Sequence, residues 1–213
     1  MKILITGPDG CGKDTQIARL QTELSGQGYS VTVITIWDGK KHLLPWLPLG
    51  QKMQILQSLL KDYPTGARSY FLMSLWKTAE EKALEQKSDI YLINGGYQKY
   101  WASEMAHGDH SPSWKVAEPQ FLKPDLTFYL KADVETCLKR KENLSAYESG
   151  LKKTDVHLFQ EKMHQALDEI VNTTKHYAVD ASKNPDLVFS QIMGKLKIKI
   201  SPAPGTNHEH PYQ

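Results

Sequence analysis

Apolar and polar positions alternate along this chain in two periods, and the change from one to the other marks its elements. Residues 1–6 form a short apolar run with Ile3, Leu4 and Ile5, the pattern of a buried strand. Residues 14–24 then place Ile17, Leu20 and Leu24 on one helical face. A second strand is predicted over 29–36, rich in Val and Ile, followed by helical spacing over 51–60 and 69–86. Further strands are predicted at 89–93, 126–130 and 177–179, with helices at 134–141, 155–174 and about 185–195. Strands alternating with helices predict an α/β fold of three layers, a five-stranded parallel sheet flanked by helices. No internal repeat is visible. Residues 1–200 read as one domain. The tail over 201–213 has three prolines and no apolar periodicity, so it is predicted to be disordered. Its His208 and His210 are read as solvated tail residues rather than metal ligands.

Composition narrows the class. With 213 residues the chain suffices for one well-buried domain and is short for two. A net charge of +2 argues against nucleic-acid binding through bulk charge. No apolar run approaches the ~20 residues of a membrane helix, and the apolar stretch at 3–5 is too short for a signal peptide. Two cysteines, Cys11 and Cys137, make neither a disulfide framework nor a zinc site by themselves. The expectation is a cytoplasmic protein, with Cys11 a small residue filling a tight turn.

The most informative segment is Gly7-Pro8-Asp9-Gly10-Cys11-Gly12-Lys13, which follows a predicted strand and opens a predicted helix. That is the setting of a phosphate-binding loop. Glycines let the backbone wrap phosphate oxygens with its N–H groups, and the helix N-terminus adds partial positive charge. Lys13 is placed to reach the β- and γ-phosphates of ATP and to neutralise charge during transfer. After Gly-Lys the motif calls for Ser or Thr to ligate Mg²⁺, yet Asp14 stands here, with Thr15 next. A carboxylate is a hard oxygen ligand for Mg²⁺, so Asp14 and Thr15 are the candidate metal residues. Without a metal, Asp14 would repel the phosphates.

The whole opening through Thr15-Gln16 resembles the phosphate loop of the thymidylate kinase family of nucleoside monophosphate kinases, the aspartate in its middle included. Pro124-Asp125-Leu126-Thr127-Phe128-Tyr129-Leu130, with Val134-Glu135 and Arg140 after it, is similar to that family's fourth strand and the helix entering its lid. Val179-Asp180-Ala181-Ser182, ahead of Val188 and Ile192, looks like its C-terminal end. The resemblance spans 1–195, weakest at about 37–70. It implies an ATP site at Gly7–Thr15 and a basic lid at about 139–155. Arg140 would stabilise the transferring phosphoryl group, and Asp9 would approach the acceptor sugar. Phe71 would stack on the acceptor base. A homodimer is a further implication.

The departures fall on the acceptor side. Where the family carries Asp-Arg-Tyr after its third strand, this chain has Asn94-Gly95-Gly96. The family's Arg-Glu-Pro after the second strand becomes Trp37-Asp38-Gly39, and Leu75 stands where an arginine is common. An Ala-Tyr-Gln becomes Ala102-Ser103-Glu104. Only three arginines exist, Arg19, Arg68 and Arg140. Arg19 is read as a surface charge; Arg68, one turn before Phe71, either faces the acceptor or is a solvated helix start. Tyr97, Trp101 and Glu104 fall on one helical face, with Lys99 pointing elsewhere. These aromatics are either core or a replacement acceptor site, since ligands bind where α/β strands end. The acceptor candidates are therefore Trp37, Arg68, Phe71, Tyr97 and Glu104.

The leading expectation is a kinase that phosphorylates a pyrimidine deoxynucleotide, dTMP to dTDP, with ATP and Mg²⁺. A P-loop kinase for another nucleoside or modified nucleotide is the alternative, favoured by loss of the Asp-Arg pair. A weakly catalytic nucleotide-binding protein is a third, favoured by Asn94.

Overall fold

Five strands, all parallel, lie side by side in the order β2-β3-β1-β4-β5 in the computed structural model of the chain. They are β1 (Lys2–Thr6), β2 (Val31–Ile34), β3 (Ile90–Asn94), β4 (Leu126–Lys131) and β5 (Tyr177–Asp180). Described are residues 1–42, 46, 48–141, 143–152 and 155–196. The tail over 201–213, His208 and His210 lie outside the described residues, as do Glu142, Lys153 and Thr154 of the expected lid.

The expected three-layer architecture is present, and the strand pleat explains it. Ile3 and Ile5 of β1 with Ile90 and Leu92 of β3 point to one face, beneath α1 (Lys13–Gly26) and α9 (Pro185–Leu196). Leu4, Tyr91 and Ile93 point to the other, into the core of α4 (Thr65–Leu84) and α5 (Gly96–Ala106). Period-two alternation sends successive residues to opposite layers, so both faces of every central strand are apolar. Leu20, Leu24, Phe128 and Leu130 are fully buried; each such side chain contributes about 1.5–3 kcal/mol.

Several boundaries differ from expectation. The second strand ends at Ile34, because Ile36 already opens a short helix, α2 (Ile36–His42), whose N-terminus is tied by Asp38 accepting from the Thr35 N–H and hydroxyl. The helices predicted at 51–60 and 69–86 are α3 (Leu49–Asp62) and α4, each beginning directly after a proline. A further short helix, α6 (Ser113–Ala117), follows α5. Downstream lie α7 (Val134–Arg140), capped by Asp133, and α8 (Val156–Val171), capped by Asp155. α8 packs along α5 and covers the β4 side of the sheet. Among the described residues no helix is long and apolar enough to cross a membrane.

Candidate functional site

The register of the sheet brings the working residues together. Ile5 of β1 pairs with Asn94 of β3, so the glycine loop after β1 and the start of α5 after β3 emerge side by side. The Thr6 hydroxyl fastens them by donating to the Gly95 carbonyl at 2.7 Å. Within the loop, Gly10 has φ +84°, and a Cβ there would lie 2.2 Å from the Cys137 carbonyl oxygen, so only glycine fits. Cys11 is buried in the core beneath the loop with its thiol pushed up by burial, the space-filling part expected of it.

Two clefts open at this end of the sheet. The first, about 470 Å³, is lined by Asp9 to Gln16, Arg140, Lys141, Ala181, Lys183, Pro185 and Val188. Lys13 is 5% exposed and lies across the loop, its ammonium donating to the Pro8 carbonyl at 2.6 Å. Arg140, expected at the transferring phosphoryl group, donates instead to the Ala181 and Ser182 carbonyls at 2.6 and 3.0 Å. This ties it to the wall formed by the loop after β5. Asp14 and Asn94, the two most unusual positions in the sequence, are in contact: the Asn94 Nδ2 donates to Asp14 Oδ1 at 2.6 Å. Asp14 and Thr15 both line this cleft, and a carboxylate and a hydroxyl are oxygen donors of the kind Mg²⁺ takes. Among the described residues no group of three or more His, Cys, Asp or Glu could hold a metal. A Mg²⁺ ion here would therefore take most of its ligands from phosphate and water, as this ion commonly does.

The second cleft, about 710 Å³, lies between α2, α3, α5 and the segment 145–151. Trp37, Lys61, Lys99, Tyr100, Tyr147 and Glu148 are on its wall. Of the five acceptor candidates only Trp37 lines it directly. Phe71 packs half-buried against the core, and its neighbour Leu72 takes the place on the wall. Arg68 and Glu104 are neither solvated nor open to the cleft: they form a buried ion pair, 1% and 0% exposed, with Arg68 Nε 2.8 and 3.0 Å from the two carboxylate oxygens. Tyr147 covers the pair, its hydroxyl donating to Glu104 at 2.8 Å. Burial raises the Glu104 carboxyl despite these partners.

Tyr97 is a clear correction. It stacks on Phe121 with ring centroids 4.7 Å apart and donates its hydroxyl to Glu118. It lines a separate cavity of about 810 Å³ beside Met1, Leu126 and Tyr177, at the opposite end of the strands from the glycine loop. The first turn of α5 is buried on several sides at once, so sharing a face with Glu104 does not decide where Tyr97 points.

Lys99 points away from the side of Tyr97 and Glu104, as its spacing predicts, and that direction takes it to the glycine loop. Its ammonium lies 2.7 Å from Asp9 Oδ1, with Lys13 and Lys141 at 3.9 and 3.8 Å from the same oxygen. Lys141 also pairs with Glu148 from the 145–151 segment. Burial by itself would raise the Asp9 carboxyl, but the three ammonium groups together hold it well below the usual carboxylate range. Burial pushes Lys99 down, and Asp9 together with Tyr100 and Glu148 more than reverses this, leaving it firmly protonated. Periodicity could not find Lys99. The available signal was a lysine one turn after a glycine pair at a strand end.

Comparison with known proteins bears on this site. The family model described as thymidylate kinase matches residues 97–192. A probable thymidylate kinase of Methanosphaera stadtmanae is 25% identical over 208 residues, 92% of this chain and 97% of that protein. The thymidylate kinase of Mesoplasma florum is 27% identical over 215 residues, 94% and 96% of the two. Among solved structures, deoxyadenosine kinase from M. mycoides with the products dCMP and a flexible dCDP has a TM-score of 0.64 at 18% identity, covering 93% of this chain and all of that one. Its dATP complex has a TM-score of 0.62 at 17% identity, covering 92% and 99%. The structural likeness shows the fold. The sequence matches make the chain similar to thymidylate kinases along most of its length and support a phosphotransferase.

Proposed function

On the likeness to nucleotide kinases, we propose that the chain transfers the γ-phosphoryl group of ATP to a deoxynucleoside monophosphate, dTMP first among the pyrimidine nucleotides. One observation carries the choice of an anionic acceptor. Where the two clefts meet, three ammonium groups, Lys13, Lys99 and Lys141, lie within 4 Å of the Asp9 carboxylate, and Glu148 pairs with Lys141 as well, which leaves a net positive charge among them. Their surplus positive charge suits two phosphate-bearing reactants meeting at that point. An uncharged nucleoside would gain nothing from it.

In this reading the loop N–H groups and Lys13 hold the donor phosphates, and Arg140 borders the donor with the loop after β5. Asp9 positions the lysines and faces the acceptor. Asp14 and Thr15, with Asn94 beside Asp14, would hold Mg²⁺, which when bound neutralises the β- and γ-phosphates. The acceptor lies in the larger cleft against Trp37 and Tyr100, with Tyr147 as its cover over Arg68 and Glu104.

A second reading, a kinase for an uncharged nucleoside, is favoured by Gly95 and Leu75, positions that hold no cation. Turnover of ATP-Mg²⁺ with a panel of nucleosides and their 5′-monophosphates separates the two. Monophosphates, dTMP foremost, should be used with kcat/KM at least roughly 10-fold above their nucleosides, since hydrogen bonds to charged groups support ratios of that size. Preference for nucleosides would replace the first reading with the second.

A further inference from the structure

The start of α5 is built around a missing side chain. Gly95 has φ +81°, and a Cβ placed on it would meet Lys99 Cδ at 3.2 Å and Lys99 Cβ at 3.7 Å. The lysine stem, one helical turn later, thus lies back over Gly95 and fills the space into which a residue at 95 would project. Its ammonium ends on Asp9 at 2.7 Å, 14% exposed, on the wall of the acceptor cleft. The distance from Lys99 Nζ to the centre of the Tyr100 ring, 5.3 Å, adds a second favourable contact for a cation. Lys99 is therefore a desolvated, firmly charged group held at the boundary of the two clefts, with part of its surface turned toward the acceptor.

On the reading of a monophosphate acceptor, we infer that Lys99 is the residue that binds the acceptor's phosphate and neutralises the phosphoryl group as it crosses. Gly95 is the matching absence that gives it room. In the transfer, an oxygen of the acceptor phosphate forms a bond to the γ-phosphorus as the bond from that phosphorus to the β,γ-bridging oxygen breaks. The electron pair stays on the ADP oxygen. Lys99 keeps its protons throughout and shifts from Asp9 alone to a position shared between Asp9 and the phosphate. Negative charge builds on the bridging oxygen as the acceptor oxygen gives up its own, while the phosphoryl group carries its anionic oxygens across, and a fixed cation on the acceptor side stabilises that group as it arrives.

The alternative role, a lysine that only neutralises Asp9, makes a different prediction, and substrate discrimination separates them. Lys99→Met and Lys99→Gln are measured in the full chain, beside Lys99→Arg, with the best-used monophosphate of the panel and its nucleoside. The readouts are kcat/KM, and Kd for each of the two ligands from equilibrium binding in the presence of ADP-Mg²⁺. Melting curves confirm that each variant is folded. The two neutral variants should lose about 10- to 100-fold in kcat/KM for the monophosphate, the range of a hydrogen bond to a charged group. The ratio of nucleoside to monophosphate Kd should fall by a similar factor, with KM for ATP within about threefold of wild type. Lys99→Arg should retain more activity than either neutral variant, because it keeps the charge. Loss of turnover with an unchanged Kd ratio would make Lys99 structural and overturn the assignment. Unaltered turnover in both neutral variants would overturn it too, while leaving the monophosphate reading intact. A wild type that phosphorylates no monophosphate would sink that reading, and this one with it.

Discussion

The donor cleft and the acceptor cleft meet where Lys99 of one reaches Asp9 of the other, and they are built by different means. The donor side is mostly one continuous stretch of chain, strand, glycine loop and helix start, whose chemistry lies in backbone N–H groups and one lysine. The acceptor side is assembled from α2, α3, α5 and the 145–151 segment, and its polar groups meet across gaps of 36 to 90 residues. Local construction preserves a motif in recognisable form. Distributed construction brings groups from distant positions to one point in space, as Lys99, lying back over Gly95, reaches Asp9.

The largest expected effect lies on the donor side. Lys13→Ala should reduce turnover by about 10³-fold or more, the scale of lost electrostatic stabilisation at a transferring phosphoryl group, with little change in the melting curve. Wild-type turnover in that variant would remove the donor side from the comparison altogether.

On the acceptor side the largest effect should be on stability. Arg68→Met strands the buried Glu104 carboxylate, and breaking such a pair costs about 3–5 kcal/mol. Replacing both partners, Arg68→Met with Glu104→Leu, should restore much of that loss in urea unfolding. A single variant as stable as wild type would show that the pair is open to water.

Glu80, on α4, sharpens the contrast further. Burial lifts its carboxyl to about 7, against the pull of hydrogen bonds from the Leu122 N–H and the Trp76 indole. An unfolded chain releases this proton at an ordinary carboxylate pKa, so between about pH 4.5 and 7 the folded state binds more protons. Its contribution to stability therefore falls as pH rises through that window, by on the order of 3 kcal/mol, and is level above it. Unfolding free energies at pH 5 and pH 8 should fall further in wild type than in Glu80→Gln. Equal slopes would refute the shift.

The smallest effect tests where donor and acceptor sides touch. Asp14 adds a carboxylate to the loop, and Asn94, 2.6 Å away, lacks one at the strand end. If the pair moved one negative charge across a shared Mg²⁺ seat, Asp14→Thr should weaken Mg²⁺ dependence and Asn94→Asp should crowd the site. The double variant should recover much of the loss, with a coupling above ~0.5 kcal/mol. The cycle is read both in kcat/KM and in the Mg²⁺ dependence of ADP binding. Additive effects would show that the two positions do not share an ion.

Five strands, their parallel class and the glycine loop were legible in the sequence, because each depends on side-chain periodicity and backbone geometry within a few residues. Asp14 and Asn94 were legible as a pair because both follow central strands whose ends the fold places together. Tyr97, Lys99, Arg68 and Phe71 were not. Helical spacing states which residues share a face, and says nothing of which neighbour, cavity or charge that face meets. Only the packed structure decided that Tyr97 meets Phe121 below the sheet, that Arg68 is sealed against Glu104 by Tyr147, and that Lys99 turns back over Gly95. The physical reason is that burying a charge requires a partner, and for Arg68 and Lys99 the partner lies 36 and 90 positions away along the chain.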